Sequence, residues 1–323
     1  MNPVRRATHD VRRESACSPS QDFPTGFVEL YPFAGSYFER DGLRMHYLDE
    51  GAGPPVVMLH GNPTWSFYYR NLLTALRGSN RVVVPDHIGC GLSDKPDDSH
   101  YQYTLARRVE DLDALLDHLG IKDNITLVLH DWGGMIGMTW ASRHPERVKR
   151  LVILNTAAFH LLPGKRLPWS LWFIRNTPLG PLLVRGLNAF SLAAVRWCTV
   201  KVLDPVVRFA YLAPYDSWSN RLAVLRFVQD IPLRPGDPSY DLVTEVQEGL
   251  HRFRGLPMLI CWGERDFVFD GDFLAEWRRH FPEADVHVFP EAGHFVLEDA
   301  GREIESLVRD FFVRHPSPPG DVR

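Results

Sequence analysis

The 323-residue sequence predicts an α/β fold, with a mostly parallel central sheet, helices on both faces and a helical cap inserted near the middle. Three observations predict it. Short, continuously apolar runs, the pattern of strands covered on both faces, alternate with stretches whose apolar residues recur at helical spacing. Several of these runs end in Gly-rich or polar loops, and sheets of this kind hold their sites at strand carboxyl ends. From about Phe159 to Pro235 the alternation lapses and no strand-like run appears.

Taken in order, Met1 to Gln21 holds Arg5, Arg6, Arg12 and Arg13 but no apolar core, which argues against a secretory signal or a membrane span and for a disordered tail over residues 1–25. Gly42 to Gly51 alternates apolar and polar residues before a Gly/Pro cluster, as an edge-type strand does. Pro55 to Leu59 is a buried strand running into His60-Gly61-Asn62-Pro63. Trp65 to Leu76 reads as a helix, and Arg81 to Asp86 as the next strand, followed by a Gly-rich loop over residues 87–93. Thr104 to Leu119 places Leu112, Leu115, Leu116 and Leu119 at helical spacing opposite charged residues.

Leu127 to Gly137 follows: an apolar run stops at Asp131, and Gly133 and Gly134 open an apolar helix. A strand turning this sharply into a helix lifts the side chain at the turn clear of the backbone, which is the geometry of a nucleophile elbow. Such elbows usually present Ser; here the turn residue is Asp131, which is also compatible with an ordinary helix N-cap. Further strands are expected at Arg150–Asn155, Pro257–Trp262 and Ala284–Phe289, with helices at about Asp272–Arg279 and Gly301–Arg314. Repeated strand–helix units predict a parallel sheet sandwiched by helices, with core segments 26–158 and 236–315. Residues 159–235, rich in Trp, Leu and Phe, are expected to form a helical cap enclosing an apolar pocket, and residues 316–323 a frayed tail.

Composition excludes little but directs attention. Hydrophobic residues make up 45% and charged residues 24%, with a net charge of −4, the profile of a soluble globular enzyme with no nucleic-acid partner. Cys17, Cys90, Cys198 and Cys261 lack metal-ligand spacing and read as reduced thiols in a cytoplasmic protein. No cofactor or metal motif is found, and Gly89-Cys90-Gly91 reads as a close-packing loop rather than a dinucleotide fingerprint.

An elbow nucleophile needs a base, and His294, on the small-residue loop after the last strand, is the candidate. Asp266, after the preceding strand, is the candidate carboxylate that fixes its tautomer; Asn155 occupies the place where some relatives carry that acid. Nucleophile, acid, histidine is the chain order of the α/β-hydrolase triad. With His60-Gly61-Asn62-Pro63-Thr64-Trp65, Pro85 to Asp94, His130-Asp131-Trp132-Gly133-Gly134 and Ala292-Gly293-His294, the sequence resembles the haloalkane-dehalogenase branch of the α/β-hydrolase superfamily over nearly its whole length. That resemblance implies that Asp131 attacks a carbon bearing a leaving group while Asn62 and Trp132 aim N–H donors at the departing anion.

The longer stretches Asn62–Arg70, Pro85–Gly91, Asn155–His160 and Phe227–Leu233 resemble the β-lactone decarboxylases of long-chain olefin biosynthesis. This implies a cis-3,4-dialkyl β-lactone substrate, a cis-alkene and carbon dioxide as products, and work alongside a thiolase-like condensing enzyme and a lactone-forming ligase. The alternatives are a haloalkane dehalogenase and, less well matched, an epoxide hydrolase in which Tyr211 and Tyr215 would polarise the epoxide oxygen. A fluoroacetate-type dehalogenase would want arginines beside the nucleophile, and none is there. A non-catalytic ligand-binding protein on the same fold is the reading outside enzymology.

Overall fold

The computed structural model describes residue 24 and residues 26–317. The tails expected over 1–25 and 316–323, and Cys17 with them, lie outside the described residues apart from Pro24, Pro316 and Ser317. The elements run α1 (Phe27–Leu30), β1 (Ser36–Arg40), β2 (Leu43–Glu50), β3 (Pro55–Leu59), α2 (Arg70–Leu76), β4 (Arg81–Pro85), α3 (Leu105–His118), β5 (Ile125–Asp131), α4 (Trp132–Arg143) and β6 (Val148–Thr156). After β6 come α5 (Trp169–Asn176), α6 (Ala189–Trp197), α7 (Pro205–Leu212), α8 (Leu222–Gln229) and α9 (Tyr240–Gly249) before the sheet resumes. The chain closes with β7 (Met258–Gly263), α10 (Gly271–His280), β8 (Asp285–Phe289), α11 (Val296–Asp299) and α12 (Gly301–Arg314).

The eight strands form one sheet in the order β1-β2-β4-β3-β5-β6-β7-β8. The β1–β2 and β2–β4 pairs are antiparallel and all others parallel. The edge reading of residues 42–51 is corrected: β2 lies inside the sheet, flanked by β4 and by β1, a short half-exposed strand with no apolar run to betray it.

The continuously apolar strands are buried on both faces, and alternate residues serve different layers. Val57, Leu59, Leu127, Leu129 and Ile153 pack with Leu112 and Leu115 of α3, Ile136 of α4, Val246 of α9 and Trp277 of α10. Val56, Met58, Val128, Val152 and Leu259 point the other way, against Leu72 and Leu73 of α2 and Ile304, Val308 and Phe311 of α12. Helix α3 starts where Thr104 caps it, its side chain accepting from the Arg107 N–H. The helix expected over 65–76 begins as a 3-10 turn, Ser66–Tyr69, before α2 proper.

Chain order reverses between β3 and β5: β4 lies on one side of β3, and β5 with β6, β7 and β8 on the other. Such a reversal opens a crevice at the strand carboxyl ends. The loop bearing Asn62 leaves β3, and Asp131 ends β5, so both sit at that crevice. Over it lie α5, α6 and α8, which supply cavity-lining residues, and part of this layer has its own small core of Ile174, Val184, Tyr215, Val224, Leu225 and Val228.

Candidate active site

The turn at Asp131 is sharp, with φ 51° and ψ −127°. A non-glycine residue in this region is strained, and such strain clusters at functional sites. Close approach makes the turn possible: a Cβ on Gly133 would stand 1.9 Å from the Leu59 carbonyl oxygen, and one on Gly61 would stand 1.9 Å from Asp131 Oδ1. The Thr156 hydroxyl donates to the Asp131 carbonyl and ties the turn to the end of β6. Asp131 does not reach the N–H groups that an ordinary N-cap side chain bonds, those of the second and third residues of α4. Its Oδ1 instead accepts the Asn62 backbone N–H at 2.6 Å, and the Trp132 backbone N–H also supports the carboxylate.

The other carboxylate oxygen, Oδ2, is 3.6 Å from His294 Nε2. His294 Nδ1 meets Asp266 Oδ2 at 2.7 Å. Asp266 is fixed in turn by the backbone N–H groups of Val268 and Phe269 on Oδ1, at 2.7 and 3.1 Å. All three groups are buried. Burial pushes the Asp131 carboxyl above the usual carboxylate range, opposed by His294 and by the two N–H donors. For His294, burial alone would disfavour the charged ring, but Asp266 and Asp131 together outweigh it and raise its pKa. The arrangement can hold an ionised carboxylate beside an imidazolium, with one carboxylate oxygen directed by N–H groups and the other available for attack.

Asn62 and Trp132 both line the cavity in front of Asp131. The Asn62 side chain is engaged differently from expectation: Nδ2 donates to the Val224 carbonyl at 3.0 Å, spanning from the β3 loop to α8, while Oδ1 is buried without a partner. Its backbone N–H, which a motif cannot reveal, is the group that meets the Asp131 carboxylate. The Trp132 ring packs against Phe227 with centroids 5.3 Å apart. Behind them Arg108 lies 3.7 Å over Phe227, paired with Asp230 at 3.3 Å.

Other residues escaped the sequence reading. Asn155, considered only as a missing acid, donates from Nδ2 to Asp266 Oδ2 at 3.0 Å and to the Gly263 carbonyl at 3.0 Å; its Oδ1 accepts the Gly263 N–H at 2.7 Å. Its place at the end of β6, beside the site, was the available signal. His130 Nε2 bonds the His294 carbonyl at 2.9 Å. The loop bearing His294 is also held from outside the sheet: Asp299 accepts N–H groups from Gly293, Val200 and Lys201, and the Cys198 carbonyl accepts the Phe295 N–H. Tyr211 and Tyr215 do not serve as substrate-polarising groups here. Tyr211 donates to Glu298 and Tyr215 to the Thr64 carbonyl, and neither lines the cavity.

The cavity is about 740 Å³ and reaches Asp131 and His294 at its base. Its walls include Phe159, Leu161, Phe173, Ile174, Val228 and Phe269. Residues 54–301 match the family model for the alpha/beta hydrolase fold. The chain belongs to the α/β-hydrolase family. Among relatives of this α/β-hydrolase is the cis-3-alkyl-4-alkyloxetan-2-one decarboxylase of Shewanella oneidensis, 57% identical over 88% of this chain and 90% of that protein. The like-named protein of Xanthomonas campestris pv. campestris is 49% identical over 86% and 95%. A haloalkane dehalogenase of Mycolicibacterium paratuberculosis is 36% identical over 87% and 93%. Among solved structures, the haloalkane dehalogenase DatA of Agrobacterium tumefaciens superposes with a TM-score of 0.78 at 27% identity, covering 87% of this hydrolase and 96% of DatA. The chain therefore sits in the branch that holds both β-lactone decarboxylases and dehalogenases. No helix among its described residues is long and apolar enough to cross a membrane.

Proposed function

We propose that this chain decarboxylates cis-3-alkyl-4-alkyloxetan-2-ones, giving a cis-alkene and carbon dioxide. The observation that carries the reading is the 57% identity to a relative named for that reaction, against 36% for a relative named as a dehalogenase. The reaction breaks the C4–O1 and C2–C3 bonds of the four-membered ring and makes the C3–C4 double bond; the second C–O bond of the released carbon dioxide is the former ring bond C2–O1. It consumes no water and leaves no net proton behind.

In this reading Asp131 is the nucleophile: its oxygen bonds C4 as the C4–O1 bond breaks to leave a ring-opened carboxylate. When C2–C3 breaks to release carbon dioxide, its electron pair forms the C3–C4 double bond and expels the Asp131 carboxylate. Asn62 and Trp132 stabilise the oxygen that gains charge, and His294, oriented by Asp266, balances the buried carboxylate. Residues 159–235 act as the cap whose apolar walls receive the two alkyl arms. A condensing enzyme and a lactone-forming ligase would supply the substrate, and the cytoplasm is the compartment this reading implies.

The test is gas chromatography of the products formed by purified protein from a synthetic cis-3,4-dialkyl β-lactone. Alkene is expected, with no β-hydroxy acid, the product of ring hydrolysis. Halide release from 1-haloalkanes without alkene from the lactone would overturn the reading in favour of dehalogenation.

A further inference from the structure

The rim of the cavity differs from its walls. Trp169 is 80% exposed, Trp197 64%, Phe267 52% and Leu192 40%, yet all four also line the cavity. Arg166, Arg196 and Arg208 are exposed and line it too. None of these three arginines has a carboxylate partner among the described residues, whereas Asp270, the acidic side chain at the rim besides the catalytic site, is taken by Lys165. Spacing places these groups together: Trp169 shares a face of α5 with Trp172, 52% exposed, and Leu192 shares a face of α6 with Arg196. Charge is segregated as well. Residues 159–235 contain ten arginines and lysines against three aspartates, in a chain whose net charge is −4.

Exposed indoles beside unpaired guanidinium groups suit the boundary between anionic headgroups and acyl chains. Trp and Tyr favour that depth, and each basic side chain near such a surface adds attraction. A second copy of this chain is a poor occupant, because a two-fold contact would set the same three arginines against themselves. We propose that the rim docks on a membrane surface bearing anionic lipid, with the cavity mouth turned toward the acyl layer. The inference rests on the lactone reading only for what passes through the mouth, a solute with two long alkyl arms that water dissolves poorly. With no spanning helix described, the attachment is peripheral.

Flotation of the full chain with vesicles tests it without any turnover, so its failure is distinct from failure of the lactone assay. Vesicles of phosphatidylcholine with about a third phosphatidylglycerol should carry the protein upward at low salt, and phosphatidylcholine alone should not. Raising the salt should weaken the binding. The triple variant Arg166→Glu, Arg196→Glu, Arg208→Glu should partition at least about tenfold less, and Trp169→Ser with Trp197→Ser about tenfold less. Melting temperatures measured alongside must match the parent, so that lost binding is not lost folding. No flotation with anionic vesicles, or equal partition of parent and well-folded variants, would overturn the proposal; in the first case an acidic protein surface becomes the occupant to seek.

Discussion

At the scale of single residues, Asp131 is a strained, buried carboxylate whose ionised form costs stability. Its folded-state pKa is raised, with burial as the largest cause, so over the window between its unfolded value near 3.9 and the raised value the native state binds the extra proton. The contribution of Asp131 to native stability therefore rises as pH falls through that window, and at neutral pH its ionised form is a net cost. Asp131→Asn should abolish turnover yet melt at the same or a higher temperature than the parent at pH 7, an advantage that shrinks toward about pH 4; a melting point several degrees lower would contradict this. Asn155 offers a complementary test. It bonds Asp266 and does not line the cavity, so Asn155→Ala, which removes that bond, should lower kcat with KM little changed, and Asn155→Gln should not restore it because its longer amide no longer fits between Asp266 and Gly263. Equal losses in kcat and in melting temperature that Asn155→Gln repairs would mark a merely structural role. That Asp131, His294 and Asp266 meet in space was legible, because residue type and chain order together bring them to adjacent strand ends. The backbone N–H of Asn62 was not, because every residue but proline has one and only the approach of β3 to β5 selects it.

At the scale of elements, the apolar runs announced β3 to β7 within a residue or two, since strands buried on both faces can contain little else; β8, also read as buried, is instead a half-exposed edge strand carrying Asp285 and His287. At the other edge β1, Ser-Tyr-Phe-Glu-Arg, carries no such signature and needed its partner β2 to define it. Helix α9 was likewise unannounced, its apolar contribution reduced to Val243 and Val246 among polar residues. One contact between elements was out of reach of any pattern: Arg70 at the start of α2 meets Glu298 of α11 through two bonds of 2.6 and 2.9 Å, while Tyr211 of α7 donates to the same carboxylate. Both charged side chains are less than a tenth exposed. Glu298→Gln would leave the guanidinium buried without its counter-charge, and removing one partner of such a pair costs about 3–5 kcal/mol. The denaturant midpoint should fall accordingly, with an unchanged slope; a shift equivalent to under about 1 kcal/mol would place the pair among the weak surface type.

At the scale of the whole molecule, the sheet places Asp131 and the layer above it supplies much of the cavity wall, while the His294 loop is bonded to both. Gly293 and Phe295 flank His294, and each donates its N–H across to the segment that leaves α6 or to the carboxylate that holds that segment: Phe295 to Cys198, Gly293 to Asp299. Asp299 simultaneously accepts the N–H groups of Val200 and Lys201. Replacing Asp299 by Ala should therefore raise amide hydrogen exchange in 198–201 and 293–295 together and lower kcat, while amides in β5 and β6 keep their protection. Independent loosening of only one segment would show that the two are not linked. One cluster of bonds therefore joins the wall of the cavity to the imidazole, so that whatever displaces the segment after α6 is felt at His294.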